Sequence, residues 1–248
     1  MKLIQRHGYI EFLRRNRERS IIKVVSGIRR CGKSTLFRLF KDELLAEGVK
    51  PEQIISINFE ELEYEPLREY HRLYQYILNQ MQPNQMNYIF LDEIQHVDQF
   101  HRVVDSLFVK ENTDIYITGS NAYFMSSDIA TLLTGRYVEI QMLPLSFAEF
   151  YYSKYEEQQY SLIPAYEAYL RESSFPYTQQ LGGEDFDIQE YLRGLYNTLL
   201  LHDVVARLKI NDVTILQDIV RYIMANVGSL LSPNKIAKSL VSAGRKID

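Results

Sequence analysis

The sequence predicts an α/β protein: a five-stranded parallel sheet sandwiched by helices, followed by a smaller all-helical region. Three observations lead there. Short apolar, β-branched runs at 21–25, 54–59, 88–91, 114–118 and 137–142 alternate with segments of helical periodicity, the pattern of strand–helix–strand crossovers within one parallel sheet. The third of these runs (YIFL) is continuously apolar, as a strand buried on both faces is. Beyond Ser146 no convincing strand follows, and 147–208 carries apolar residues at helical spacing.

Taken in order, residues 3–16 place Ile10 and Leu13 on one side of a short helix that leads into the first strand. That strand closes on Gly27. The helix at 33–46 follows and is ended by Gly48 and Pro51. The second strand (IISINF) runs into the acids Glu60, Glu61 and Glu63, and 66–81 spaces Leu67, Tyr70, Leu73, Tyr74 and Ile77 as a helix does. The third strand ends in Asp92 and Glu93, and a helix near 100–110 leads to the fourth (DIYIT), which ends in Gly119, Ser120 and Asn121. A helix at 128–134 reaches Gly135 and Arg136 before the fifth strand, which stops at Pro144. Gly182 and Gly183 mark a loop in the helical region, 213–226 reads as a further helix, and Ser232 and Pro233 are N-cap and N1 of a last one.

With 248 residues, 46% hydrophobic and 24% charged, the chain can bury a sizeable core and falls among ordinary globular proteins. The single cysteine, Cys31, excludes an internal disulfide and suits a reducing compartment. No leader pattern and no apolar run near eighteen residues is seen, so the expectation is a cytoplasmic protein with no membrane partner. Residues 1–38 hold eleven Lys/Arg against two acids, Glu11 and Glu18, although the whole chain carries −4. Two readings stand for that basic end: a nucleic-acid surface, or charge gathered around an anionic nucleotide with Arg14, Arg15, Arg17 and Arg19 as a solvated helix end.

Residues 27–34 spell G-x-x-x-x-G-K-S, with a strand before and a helix after, the context that makes the pattern a phosphate-binding loop. Backbone N–H groups that wrap a polyphosphate need residues without a Cβ where the chain turns, which Gly27 and Gly32 supply. The helix that begins at Lys33 points its unpaired N–H groups and positive dipole end at the same oxygens. The expected nucleotide-binding run is therefore Gly27, Ile28, Arg29, Arg30, Cys31, Gly32, Lys33, Ser34 and Thr35. In it Lys33 reaches the β- and γ-phosphates and the Ser34 hydroxyl binds Mg²⁺. Arg29 and Arg30 either touch phosphates or face solvent.

Asp92, placed after four apolar residues, supports the same Mg²⁺, and Glu93 beside it is positioned to take the proton of an attacking water. Ser120 and Asn121 end the strand expected between those of the loop and of Asp92. They either contact the γ-phosphate or form a plain turn. His96, His101 and His202 have no metal-ligand spacing, so no metal other than Mg²⁺ is expected.

The runs GIRRCGKST, YIFLDEIQ, ITGSNA and LLTGRYVEIQMLPLSFAEF resemble the AAA+ ATPase superfamily. Within it they resemble a bacterial and archaeal group in which the ATPase core is followed by a helical region, a winged-helix segment and a restriction-endonuclease-like domain. The resemblance implies ATP and Mg²⁺ as cofactors and a division into a core at 1–150, a lid-like helical domain at 151–210 and the start of a winged helix at 211–248. It also implies an arginine finger at Arg136 acting in trans within a homo-oligomer, a sensor arginine at Arg193 or Arg207, and DNA contact through the C-terminal part. Where that group often carries two glycines before a proline, this chain has Ser173, Ser174, Phe175 and Pro176. The nuclease-like part is absent, so no nuclease activity is assigned.

The function expected is hydrolysis of ATP with Mg²⁺, coupled to conformational change or assembly. The alternative is a nucleotide-gated switch with negligible turnover that recruits DNA or protein. A P-loop kinase is the weaker third reading, since no lid arginine cluster is evident.

Overall fold

The structure is a computed structural model of the 248-residue chain, and the residues described are 4–120, 133, 135–155, 160–181, 185–199, 204–205 and 212–245. Strands β1 (Ile22–Gly27), β2 (Ile54–Asn58), β3 (Asn87–Asp92), β4 (Thr113–Ser120) and β5 (Tyr137–Met142) form one parallel sheet in the order β2-β3-β4-β1-β5.

Because side chains alternate across a strand, each central strand feeds two cores. Ile22, Val24, Ile89, Leu91, Ile115 and Ile117 pack with α3 (Tyr70–Gln80) and α4 (Phe100–Phe108) through Leu73, Ile77, Val103, Val104 and Leu107. On the other face Val25, Tyr88, Phe90 and Tyr116 meet α1 (His7–Asn16) and α2 (Lys33–Ala46) through Leu13, Leu36, Phe37, Phe40 and Leu44. Each such side chain contributes about 1.5–3 kcal/mol by leaving water. Phe90 and Tyr116 stack at 4.6 Å, and Phe37 meets Phe90 edge-on at 5.2 Å. This aromatic layer fixes α2, and with it the first turn that carries Lys33.

The amino ends of the strands close over a buried ion pair. Lys23 and Asp114 are both without solvent exposure and hydrogen-bonded to each other. The Lys23 ammonium also reaches the carbonyl of Arg19 at 3.0 Å, and Asp114 accepts from the Tyr116 hydroxyl at 2.7 Å and the Glu18 N–H at 2.8 Å. Burial pushes the lysine below its ordinary range, against the pull of Asp114. Asp114→Asn leaves that cation buried without a counter-charge, so the expected loss is about 3–5 kcal/mol, read as a fall in the unfolding midpoint of order 10 °C.

Several boundaries differ from the sequence reading. The helix expected at 3–16 begins at His7, with Arg6 as a non-helical N-cap whose carbonyl accepts from the N–H groups of Tyr9 and Ile10. The helix expected at 66–81 is a 3₁₀ segment, Leu62–Arg68, followed by α3. Glu69 between them is extended, and its carboxylate caps the N–H groups of His71 and Arg72 at 2.9 and 3.0 Å. A side chain that caps starts a new helix at that point. The segment expected at 128–134 lies largely outside the described residues. At the basic end Arg14 pairs with Glu43 and Glu11, and Arg17 with Glu47 and Glu18. Acids on and just after α2, with Glu11 and Glu18, thus neutralise two of the arginines that a nucleic-acid stripe would need.

Contacts divide the chain into two compact units, Met1–Ile188 and Gln189–Asp248. The first holds the sheet, α5 (Phe147–Tyr155), α6 (Leu162–Glu172), the 3₁₀ turn Pro176–Gln180 and the start of α7 (Asp185–Thr198). Phe147 and Phe150 join α5 to α6 through Tyr166 and Tyr169, with Phe150 and Tyr169 at 5.3 Å. Ser173 has φ +77, a conformation that glycine adopts more cheaply, and Ser174 offers its carbonyl to the Leu145 N–H at 2.7 Å. In the second unit α8 (Val213–Ala225) and α9 (Pro233–Ser242) are capped by Asp212 and Ser232. No helix among the described residues is long and apolar enough to cross a membrane.

Candidate functional site: a phosphate loop facing two acids

Every strand points its carboxyl end the same way, so the loop after β1 and the acids after β3 share one edge of the sheet. At Gly27 an added Cβ would lie 2.5 Å from the Met142 carbonyl oxygen and 2.8 Å from Cys31 Sγ, so no other residue fits. The loop then turns through two left-handed residues, Arg30 (φ +68) and Gly32 (φ +107). Cys31 between them is buried, and that burial raises its thiol above the ordinary range.

Lys33 opens α2 with 4% of its surface exposed. Its Nζ donates to the Gly27 carbonyl at 3.0 Å and lies 3.1 Å from Glu93 Oε1. Burial opposes ionisation of Glu93, but the Lys33 charge, the Gln95 amide and Arg29 outweigh it and hold the carboxyl below the usual range. Burial pushes Asp92 above the usual range, against the hydroxyls of Ser34 and Thr118.

Thr118 is the residue that sequence reasoning missed. The register sets β3 against β4 with Leu91 opposite Ile117, so Asp92 and Thr118 adjoin. The Thr118 hydroxyl donates to Asp92 Oδ1 and accepts from the Glu93 N–H at 2.9 Å. It thereby bridges both acids. Glu93 has φ +55, a strained conformation for a residue with a side chain. The available signal was a hydroxyl directly after the apolar run Ile115–Ile117, two residues before the strand's polar end. Gln95, whose Nε2 donates to Glu93 Oε2, was missed likewise.

Ser120 ends β4 opposite Gly27, and Asn121 lies outside the described residues. Ile28 is half-buried, and Thr35 lines a cavity of about 1090 Å³ beside the loop, together with Gly32, Leu36, Leu39, Met142 and Tyr152. The cavity's walls come from the segment before α1, the end of β5, α5 and the 3₁₀ turn, which no local pattern brings together.

Arg136 is exposed at the other end of the sheet. Its carbonyl accepts from the Ile22 N–H at 2.9 Å and its guanidinium lies over the Phe108 ring at 5.5 Å. The six residues of β5, about 20 Å of strand, separate it from Met142, which pairs with Gly27. Arg193 lies on α7 in the second unit, and Arg207 is outside the described residues.

The donors near the loop suit a hard cation. A serine hydroxyl and an aspartate carboxylate are the oxygen ligands that Mg²⁺ takes alongside substrate phosphates, and the turn around Gly27 and Gly32 leaves backbone close to any anion bound there. Among the described residues no cluster of three or more His, Cys, Asp or Glu suits another metal.

This sheet order, with a G-x-x-x-x-G-K-S loop after β1 and an Asp-Glu pair after β3, defines a P-loop NTPase of α/β class. Residues 19–151, more than half of the chain, match the family described as an AAA domain, and the protein belongs to that family. It is 37% identical over 243 residues to an uncharacterized protein of Haemophilus influenzae, covering 97% of this chain and 60% of that one. To an uncharacterized protein of Methanocaldococcus jannaschii it is 33% identical over 245 residues, covering 91% of this chain and 51% of that one. The chain thus spans 51–60% of the length of these relatives. Among solved structures, the Walker-type ATPase of Pyrococcus abyssi superposes with a TM-score of 0.62 at 18% identity, over 99% of this chain and 85% of that one. The likeness is one of fold.

Proposed function

We propose that the chain binds ATP with Mg²⁺ and hydrolyses it, and that the helices beyond residue 150 move in response. The observation that carries this reading is the meeting of Lys33, Asp92 and Glu93 at one end of the sheet, with the Lys33 ammonium 3.1 Å from the Glu93 carboxylate. Lys33 and the N–H groups of residues 27–35 bind the phosphates, and the cavity beside them takes the base and ribose. Ser34 and Asp92 would hold Mg²⁺, which would supply positive charge to the bound phosphates. Glu93 takes the proton from a water as its oxygen attacks the γ-phosphorus and the bond to the bridging oxygen breaks. Thr118 keeps the two acids apart in role by holding Asp92 through its hydroxyl and Glu93 through its backbone. Ser120 or Asn121 contacts the γ-phosphate, and Arg136 acts on the site of a second copy. On the same reading, DNA is met through a winged helix that begins within 211–248.

The test is Mg²⁺-dependent phosphate release, with Lys33→Ala as control. Wild-type turnover of order 1 s⁻¹ or above, with loss of ATP binding in the variant, is the expected result. Tight ATP retention with turnover below about 0.01 s⁻¹ would make the protein a nucleotide-gated switch instead, far below the rates at which enzymes ordinarily work.

A further inference from the structure

Arg6, just before α1, is 4% exposed, a depth at which a guanidinium is tolerated only when its donors are used. All five N–H groups have acceptors. Nε and Nη2 grip the two carboxylate oxygens of Glu149 at 2.8 and 3.0 Å. Nη1 reaches the carbonyls of Leu143 and Cys31 at 2.7 and 3.2 Å, and Nη2 also reaches that of Pro144 at 3.3 Å. The Tyr9 ring covers the guanidinium at 4.5 Å, and the Tyr9 hydroxyl accepts from the Leu143 N–H at 3.2 Å. Glu149 in turn accepts from the N–H and hydroxyl of Ser146 at the start of α5. One side chain thus joins the phosphate loop, the exit of β5 and the first helix beyond the sheet.

The Cys31 carbonyl shares a peptide unit with the Gly32 N–H, and in a planar trans peptide the two point in opposite directions. Holding the oxygen toward Arg6 turns the Gly32 N–H the other way. The peptide sits between two left-handed residues, Arg30 and Gly32, so no regular ladder sets its plane.

We propose that Arg6, anchored by Glu149, is a positioning residue of the phosphate loop: it sets the Cys31–Gly32 peptide plane, aims the Gly32 N–H at bound phosphate, and links that peptide to α5. This rests on the nucleotide-binding reading above. A lysine cannot replace it, because an ammonium has three donors and no planar fork.

The experiment measures ATP and ADP affinity by calorimetry, with unfolding midpoints, for the wild-type chain, Arg6→Gln, Arg6→Lys, Glu149→Gln and the Arg6→Gln/Glu149→Gln double variant. Leu107→Ala, in the core on the opposite face of the sheet, serves as a stability control. A hydrogen bond to a charged phosphate sets the scale of the expected loss at about 10- to 100-fold in affinity for both nucleotides in Arg6→Gln. Arg6→Lys gives no rescue, Glu149→Gln shows a smaller loss, and the double variant is no worse than Arg6→Gln alone. Leu107→Ala lowers the midpoint with affinity unchanged, which separates positioning from general loosening. A folded Arg6→Gln that binds ATP within twofold of wild type overturns the proposal, and additive losses in the double variant overturn the link through Glu149. Should Arg6→Gln not fold, Arg6→Lys and Glu149→Gln decide by the same criteria. A wild-type chain that binds no ATP overturns the nucleotide reading and this one together, so the two failures are told apart.

Discussion

Replacing Arg136 with alanine should lower ATP turnover by about 10³-fold or more, the amount an arginine finger supplies by neutralising charge on the transferring phosphoryl group, while ATP affinity stays near wild type. The structure bears on where that charge acts. Arg136 stands at the amino end of β5, its carbonyl paired with Ile22 and its side chain laid over Phe108. The phosphate loop begins at the carboxyl end of the neighbouring β1. A side chain reaching some 7 Å cannot span the roughly 20 Å of strand between them, so on the proposed reading the guanidinium acts on a nucleotide held by a second copy. Mixing Arg136→Ala with Lys33→Ala therefore becomes informative. Each alone is inactive, yet a mixed assembly contains sites with an intact loop facing an intact arginine, and activity should return in part. Full turnover in Arg136→Ala alone, or no recovery on mixing in assemblies visible by light scattering, would sink the role.

Glu93→Gln should lower turnover by at least about 10², the usual contribution of a positioned general base, and leave ATP binding as tight as wild type or tighter. The second half follows from the ion pair. Lys33 lies against the Glu93 carboxylate, and a neutral amide there releases the ammonium for phosphate. The backbone at Glu93 is left-handed and tied by its N–H to Thr118, and glutamine can keep that geometry because neither feature involves the carboxylate. The variant therefore keeps the backbone while removing both the base and the charge that holds Lys33. Single-turnover phosphate release, measured beside equilibrium ATP binding, checks both halves; unchanged turnover removes Glu93 from the chemistry.

The parts of the site that were legible are those written in consecutive residues. Gly27 to Thr35 declares a loop because its glycines, lysine and serine must fall at fixed spacing around a phosphate. Asp92 and Glu93 declare themselves by ending an apolar run. Thr118 and Gln95 do not, since their importance lies in facing the two acids, and the facing depends on β3–β4 register and on the 3₁₀ turn after Glu93. The helix expected at 66–81 shows the same limit at the level of the fold. Its periodicity is genuine, but the Glu69 carboxylate competes as a cap and starts the helix at Tyr70, four residues later than Pro66 suggested.

By itself the sequence determined the α/β class, the five strands, and the residues that make a phosphate loop and its acidic partners. All of these follow from period, punctuation and spacing along a short stretch of chain. Only the tertiary structure decided that Arg6 would meet Glu149 across 143 positions and that a threonine would join the two acids. Such contacts depend on which strands are neighbours and in what register. Burial of both faces of the sheet selects that arrangement as a whole, so no local window of residues carries it.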